Sequence, residues 1–104
     1  MAVVSIHYRS NKGQSGELVE EVNETEICDV SEAVVKLVVR HLYPETSSRY
    51  PYPEAVQDLP QGDSPSDKLN RAIQVAETLG FTQLSFRYLE SKSAREAKER
   101  YALL

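Results

Sequence analysis

The side chains of this sequence best suited to nucleophilic or acid–base chemistry are Cys28, His7 and His41. Cys28 comes just before a predicted helix, whose dipole lowers the pKa of a thiol. Glu26 and Asp29 flank it, however, and negative neighbours oppose a thiolate. His41 falls in the middle of an apolar helical face, whereas His7 points to solvent or an edge contact. We therefore expect Cys28 to be a buried structural residue and His41 a core histidine, and we predict that the protein is not an enzyme.

Metal and cofactor chemistry needs ligands or glycines at particular spacings. One cysteine and two scattered histidines give none of the usual metal-binding patterns. The sequence also lacks a dinucleotide-binding or Walker-type glycine loop and a nucleophile elbow. We expect neither a metal ion nor a cofactor.

The most distinctive chemical feature is an uneven distribution of charge. The net charge is −4, and residues 13–35 contain seven carboxylates but no Lys or Arg. Towards the C-terminus basic residues are in excess. Matching potentials raise encounter rates and reject wrong partners, so an acidic surface suits a basic partner. We call the predicted partner-binding residues of this region the acidic segment: Glu17, Glu20, Glu21, Glu24 and Glu26.

A long connection at about residues 44–63 supplies a second candidate binding surface. Unstructured connections of more than about 12 to 15 residues are uncommon in small domains and are usually functional or disordered. Alternating Tyr and Pro residues favour an extended chain with amphipathic rings. The connection either packs back on the domain through Val56 and Leu59, or contacts a partner. For the second case the predicted contact residues are Arg49, Tyr50, Tyr52 and Glu54.

Period-two patterns predict the strands. Residues 2–9 alternate β-branched or aromatic residues with polar ones, and a turn-rich stretch leads into a weaker strand at residues 17–24. These two strands should form a hairpin. In the second strand, either Leu18 and Val22 face the core together with Glu20, or Val19 turns inward across a bulge. The stretch that follows Gly80 predicts a third strand.

Three helices are predicted. Residues 30–43 are rich in valine and apolar over more than half of the helical circumference, with Asp29 as the N-cap. Such a helix must be covered on two sides, by the same chain or by a partner, and we expect a homodimer contact at Val35 and Val39. The second helix, at residues 65–79, has Ser64 as its cap, and a third begins after Ser93.

Together these elements predict one α+β domain over residues 1–104. We expect a small, three-stranded, largely antiparallel sheet with helices packed on one face, in the order β-β-α-loop-α-β-α. The longest apolar run falls well short of the ~20 residues that span a bilayer. The sequence start does not resemble a secretory signal, and a single cysteine excludes an internal disulfide framework. We expect a cytoplasmic protein without membrane contact.

These observations favour a non-enzymatic protein–protein interaction module. Its properties would suit a small acidic inhibitor or adaptor that binds a basic surface of a nucleic-acid-handling partner, as phage anti-defence and immunity proteins do. The alternative is a small nucleic-acid-binding domain. It would use the basic C-terminal helix and the aromatic residues of the strands, although the pI of 5.2 counts against it. These residues are Lys92, Arg95, Lys98 and Arg100 on the helix, and Tyr8, Phe86 and Tyr88 on the strands.

Overall fold

A computed structural model describes residues 2–44, 59 and 61–104. Its sheet has the strand order β2-β1-β3-β4 and is antiparallel throughout. The α+β class and the antiparallel sheet are confirmed. The predicted three strands and the final helix are wrong, because the described chain runs β-β-α-α-β-β. The elements are β1 (Ala2–Ser10), β2 (Ser15–Val22), α1 (Ile27–Leu42), α2 (Pro65–Thr78), β3 (Phe81–Leu89) and β4 (Arg100–Ala102).

The predicted hairpin of β1 and β2 is confirmed. The chain reverses where Ser10 N–H donates to Gln14 O at 2.8 Å, and Gly13 adopts a positive φ of 82°. The β1–β2 register is continuous and pairs Leu18 with Ile6, which is fully buried. Leu18 therefore faces the core, as in the first of the two predicted arrangements, without a bulge in this pair.

Helix α1 begins earlier than the sequence indicated. Its N-cap is Glu26, which makes no side-chain capping bond, so Asp29 lies inside the first turn. The prediction of Asp29 as the N-cap is wrong because the helix starts earlier, with Val30 N–H donating to Glu26 O at 2.9 Å. The Asp29 carboxylate instead contacts α2, with Oδ1 2.6 Å from Lys68 Nζ. Cys28 is likewise a half-buried residue of the first turn rather than a fully buried one before the helix.

The broad apolar face of α1 is covered by its own chain. The helix packs against α2, and its valines join one core cluster with the helix-facing side of the sheet. Val35 and Val39 both have no exposed surface. The premise of the homodimer contact at these two valines is therefore wrong, because intrachain packing already buries them.

Helix α2 follows the predicted capping pattern. Asp67 N–H donates to Ser64 Oγ at 3.1 Å, and Pro65 occupies the first helical position. Gly80 ends this region with a φ of 85°, and its carbonyl accepts from Asn11 N–H at 2.8 Å. This contact fixes the start of β3 against the hairpin turn.

The predicted C-terminal helix is wrong, since residues 100–102 form β4 on the outer side of β3. Tyr101 stacks on Phe86 with the ring centroids 5.5 Å apart, and contacts Tyr88 edge to face. Leu103 N–H then donates to Leu84 O at 2.8 Å. Tertiary packing thus overrides the helix propensity of the Ala-, Glu- and Lys-rich sequence.

The long connection is described only at its ends and at Leu59. Leu59 packs against the core cluster, as expected if the connection folds back at that point. Arg49, Tyr50, Tyr52, Glu54 and Val56 lie outside the described residues. Among the helices that are described, none has the length and apolar character needed to cross a membrane.

Replacement of Tyr101 tests the role of β4. Because Tyr101→Ala removes the ring contacts to Phe86 and Tyr88, we expect the free energy of unfolding to fall by about 1 to 3 kcal/mol. Denaturant titration measures this loss, which Tyr101→Phe should largely avoid. A helical C-terminus would tolerate alanine well. Unchanged stability of Tyr101→Ala would therefore contradict the strand.

Candidate interaction surface on the sheet

Strand alternation places a second set of side chains on the face of the sheet away from the core cluster. We call this the outer face. Three rows of opposed residues cross its centre, and together they carry both signs of charge. The rows are Glu17–His7–Ser85–Ala102, Val19–Ser5–Arg87–Arg100 and Glu21–Val3–Leu89.

Glu17 is the centre of a polar cluster on the outer face. Its Oε1 accepts a hydrogen bond of 2.6 Å from Ser5 Oγ and lies 3.4 Å from both His7 Nε2 and Arg87 NH2. The Ser5 hydrogen bond lowers the pKa of Glu17 most, and the nearby His7 and Arg87 add to this while desolvation opposes it. The Glu17 carboxylate is therefore already bound by side chains of its own fold.

The row of Glu17, His7 and Ser85 contains the residue types of a serine-hydrolase triad but lacks its geometry. Such a triad requires the serine hydroxyl to hydrogen-bond the histidine. Ser85 Oγ is shielded from solvent and makes no hydrogen bond. His7 therefore does not contact a nucleophile in this row, and the absence of enzyme activity stays a prediction.

Two arginines on the outer face oppose each other directly. Arg87 on β3 pairs with Arg100 on β4. Arg87 reaches Glu17 only through NH2 at 3.4 Å, and its Nε is shielded and makes no hydrogen bond. Arg100 is exposed and, within the described part of the chain, forms no ion pair with an acidic residue. Like charges directly opposite in a sheet are destabilising.

The structure divides the acidic segment instead of joining it into one strip. Glu17 and Glu21 lie on the outer face, whereas Glu20 pairs with Val4 and is half-buried on the helix-facing side. Glu24 and Glu26 follow β2 and are exposed. What these residues share is their position along β2 and the turn after it, which is one edge of the sheet.

A groove of about 560 Å³ runs between this edge and the two helices. Along its lining Glu32 binds Arg71 in a bidentate pair, with N–O distances of 3.0 and 3.1 Å. Lys36 Nζ lies 3.7 Å from Glu32 Oε1. Lys68 binds Asp29, mainly through a hydrogen bond that raises the pKa of Lys68. No local sequence pattern reveals these cross-helix pairs, because Glu32 and Arg71, for example, are 39 positions apart.

His41 is exposed, so the prediction of a core histidine is wrong. It lies in the last turn of α1, where Leu42 packs against the core instead, and contacts the Tyr8 ring edge-on at a centroid distance of 6.4 Å. A basic residue suits this position because of the helix dipole. Within residues 2–44, 59 and 61–104, no cluster of three or more His, Cys, Asp or Glu could hold a metal ion.

Comparison of the chain with protein-family models, curated proteins and solved structures found no match.

The Glu17 cluster predicts a measurable titration. Ser5→Ala removes the hydrogen bond that contributes most, so the pKa of Glu17 should rise towards its ordinary value of 4.5. Because the folded-state pKa lies below the unfolded one, the cluster stabilises the protein above pH 4.5 and loses this effect as the pH falls through the folded pKa. NMR titration of the Glu17 carboxyl measures this. An unchanged pKa in Ser5→Ala, with Ser15→Ala as the control, would contradict the assignment.

The Glu32–Arg71 pair should stabilise the packing of α1 on α2. Both side chains are largely shielded, at 14% and 16% exposure. In a double-mutant cycle with alanine at each position, we expect a coupling energy of about 1 to 2 kcal/mol, above the range of exposed pairs. The matched control is Glu90–Lys98, whose side chains are 71% and 66% exposed. Equal coupling in the two cycles would show that shielding does not strengthen the Glu32–Arg71 pair.

Proposed function

We propose that the protein is a non-enzymatic protein-binding module whose contact surface is the β2 edge of the sheet. The observation that carries this proposal is the position of β2. It is an eight-residue strand at the end of the sheet, and Glu17, Glu20 and Glu21 lie along it. Within the described part of the chain, β2 pairs with β1 alone.

An edge strand presents backbone N–H and C=O groups that can pair with another chain. When a partner adds a strand to such an edge, the backbone hydrogen bonds provide affinity and the neighbouring side chains provide specificity. If two copies of the protein paired through β2, their glutamates would face one another. Like charges opposed across strands repel, so such pairing would be unfavourable. A basic extended segment would instead be attracted. The same residues thus oppose self-association and select a basic partner.

The members of the acidic segment differ in their availability. Glu17 already accepts from Ser5 and lies near two basic side chains, so it contributes mainly to the order of the sheet. Glu21 and Glu24 are exposed, and Glu20 is half-buried beside them. We assign the main contact to these three. The partner is proposed to be a protein, such as one that handles nucleic acid, whose basic surface presents an extended segment to β2, and the chain its inhibitor or adaptor.

The alternative, a nucleic-acid-binding domain, loses two of its structural supports. Tyr8 and Phe86 are buried against the helices, so their rings do not offer a surface on which bases can stack. The basic C-terminal residues occupy a connection and a three-residue strand rather than a helix. The acidic charge at the β2 edge therefore supports a protein partner better than a nucleic acid.

Charge reversal at the β2 edge tests the proposal. The variant carries Glu20→Lys, Glu21→Lys and Glu24→Lys, and the control carries Glu77→Lys, Glu90→Lys and Glu96→Lys, which change the net charge equally at exposed positions elsewhere. Nuclease-treated extract of the native cell supplies the partner, whose affinity is then measured at two salt concentrations. We expect the first variant to bind at least ~10-fold more weakly with a flatter salt dependence, a loss of about 1.4 kcal/mol.

The control variant should keep its affinity, and circular dichroism should show that both variants are folded. Equal binding by the two variants would contradict the β2 edge as the contact surface. Recovery of nucleic acid alone, from extract without nuclease, would contradict a protein partner. A further variant with Tyr50→Ser and Tyr52→Ser tests whether the connection belongs to the same contact surface.

A further inference from the structure

We propose that the outer face carries a binding site for a single phosphate group, formed by Arg87 and Arg100 with the hydroxyl of Ser85 at its base. This site lies on β3 and β4, across the sheet from the β2 edge. It is independent of the proposed protein contact.

The positive charge of the two arginines is unbalanced. They are directly opposed in the β3–β4 register, and side chains at such positions are about 4.5 to 5.5 Å apart at Cβ. Glu17 is the carboxylate nearby, and of the two arginines it contacts only Arg87, at the long distance of 3.4 Å. An anion held between the two guanidinium groups would replace their repulsion with attraction.

Two hydrogen-bond donors at this site lack acceptors. Arg87 Nε and Ser85 Oγ are both shielded from solvent, and neither makes a hydrogen bond. A buried donor without a partner is destabilising, so its presence calls for an explanation. Ser85 and Arg87 are two residues apart on one strand and therefore share the outer face. Towards β4, Ser85 is opposed only by the small side chain of Ala102.

The donors match the chemistry of a phosphate group. Guanidinium groups bind phosphate oxygens in a bidentate manner, and a serine hydroxyl can donate to a third oxygen. Arg100 is exposed, and Arg87 is 34% exposed, so both guanidinium groups can turn towards a ligand from solvent. Release of the long contact to Glu17 would free Arg87 to bind with Nε and NH2 together.

The surroundings limit the ligand to one phosphate. Towards β2, the outer face becomes acidic at Glu17 and Glu21. A nucleic-acid strand that crossed the sheet would bring its next phosphates against these carboxylates. A phosphate monoester or inorganic phosphate, by contrast, would contact only the basic side.

Titration with inorganic phosphate at constant ionic strength, balanced with chloride, tests the site. Binding is followed by the NMR signals of the arginine Nε–H groups and by the thermal midpoint. We expect saturable changes at Arg87 and Arg100, with a Kd on the order of 1 mM. Arg100→Gln should weaken binding at least ~5-fold, about 1 kcal/mol. The control, Arg95→Gln, removes the same charge from the exposed β3–β4 connection and should bind normally.

A second measurement separates this site from a purely structural role of the arginines. Without phosphate, Arg100→Gln should raise the thermal midpoint, because it removes the opposed like charge. With saturating phosphate, the wild-type protein should gain more stability than the variant. Equal gains would overturn the proposal, as would equal phosphate affinity in wild type, Arg100→Gln and Arg95→Gln.

Two further ligands distinguish the sources of the phosphate. Phosphoserine should bind at least as well as inorganic phosphate, since it presents the same group. A single-stranded oligonucleotide should bind no more tightly per phosphate, because Glu17 and Glu21 repel the rest of its backbone. Oligonucleotide binding that is ~10-fold tighter per phosphate would overturn the single-phosphate site in favour of a nucleic-acid surface.

Discussion

Burial of the valine-rich helix α1 is the constraint on which the rest of the fold depends. Its broad apolar face needs cover on two sides, and the chain supplies this with the sheet on one side and α2 on the other. Fully buried valines, Val30, Val34, Val35, Val38 and Val39, form the centre of the core. Because both helices are needed for this single purpose, they lie together and pack against one side of the sheet.

The outer face is consequently free to carry charge. Its acidic residues lie on β2 and its arginines on β3 and β4, so the division of charge along the sequence becomes a division across the sheet. Glu17 lies at the boundary, where it accepts from Ser5 and lies close to His7 and Arg87. Electrostatic attraction at this boundary is therefore intrachain, whereas charges farther out remain available to other molecules.

Sequence patterns were sufficient where local rules and packing agree. The alternation in β1 and the capping by Ser64 each follow from neighbouring residues, and the structure contains both. They failed where contacts between residues far apart in the sequence determine the local structure. A strand as short as β4 has no period of its own and forms because Tyr101 packs on Phe86. The contact between Asp29 and Lys68 joins the two helices and likewise leaves no local sequence pattern. The pairing of Arg87 with Arg100 could not be foreseen because it exists only once β4 is a strand.

The central pair of the sheet, β1 with β3, joins segments from opposite ends of the described chain. A hydrogen bond from Thr82 Oγ1 to Arg9 O, for instance, spans 73 positions. Closing so large a loop costs entropy before the pairing can repay it, and rates of folding fall as such separations grow. The β1–β2 hairpin and the helices can form early by themselves, but cooperative folding must wait for β3 to arrive. This topology implies slow folding for a chain of such length.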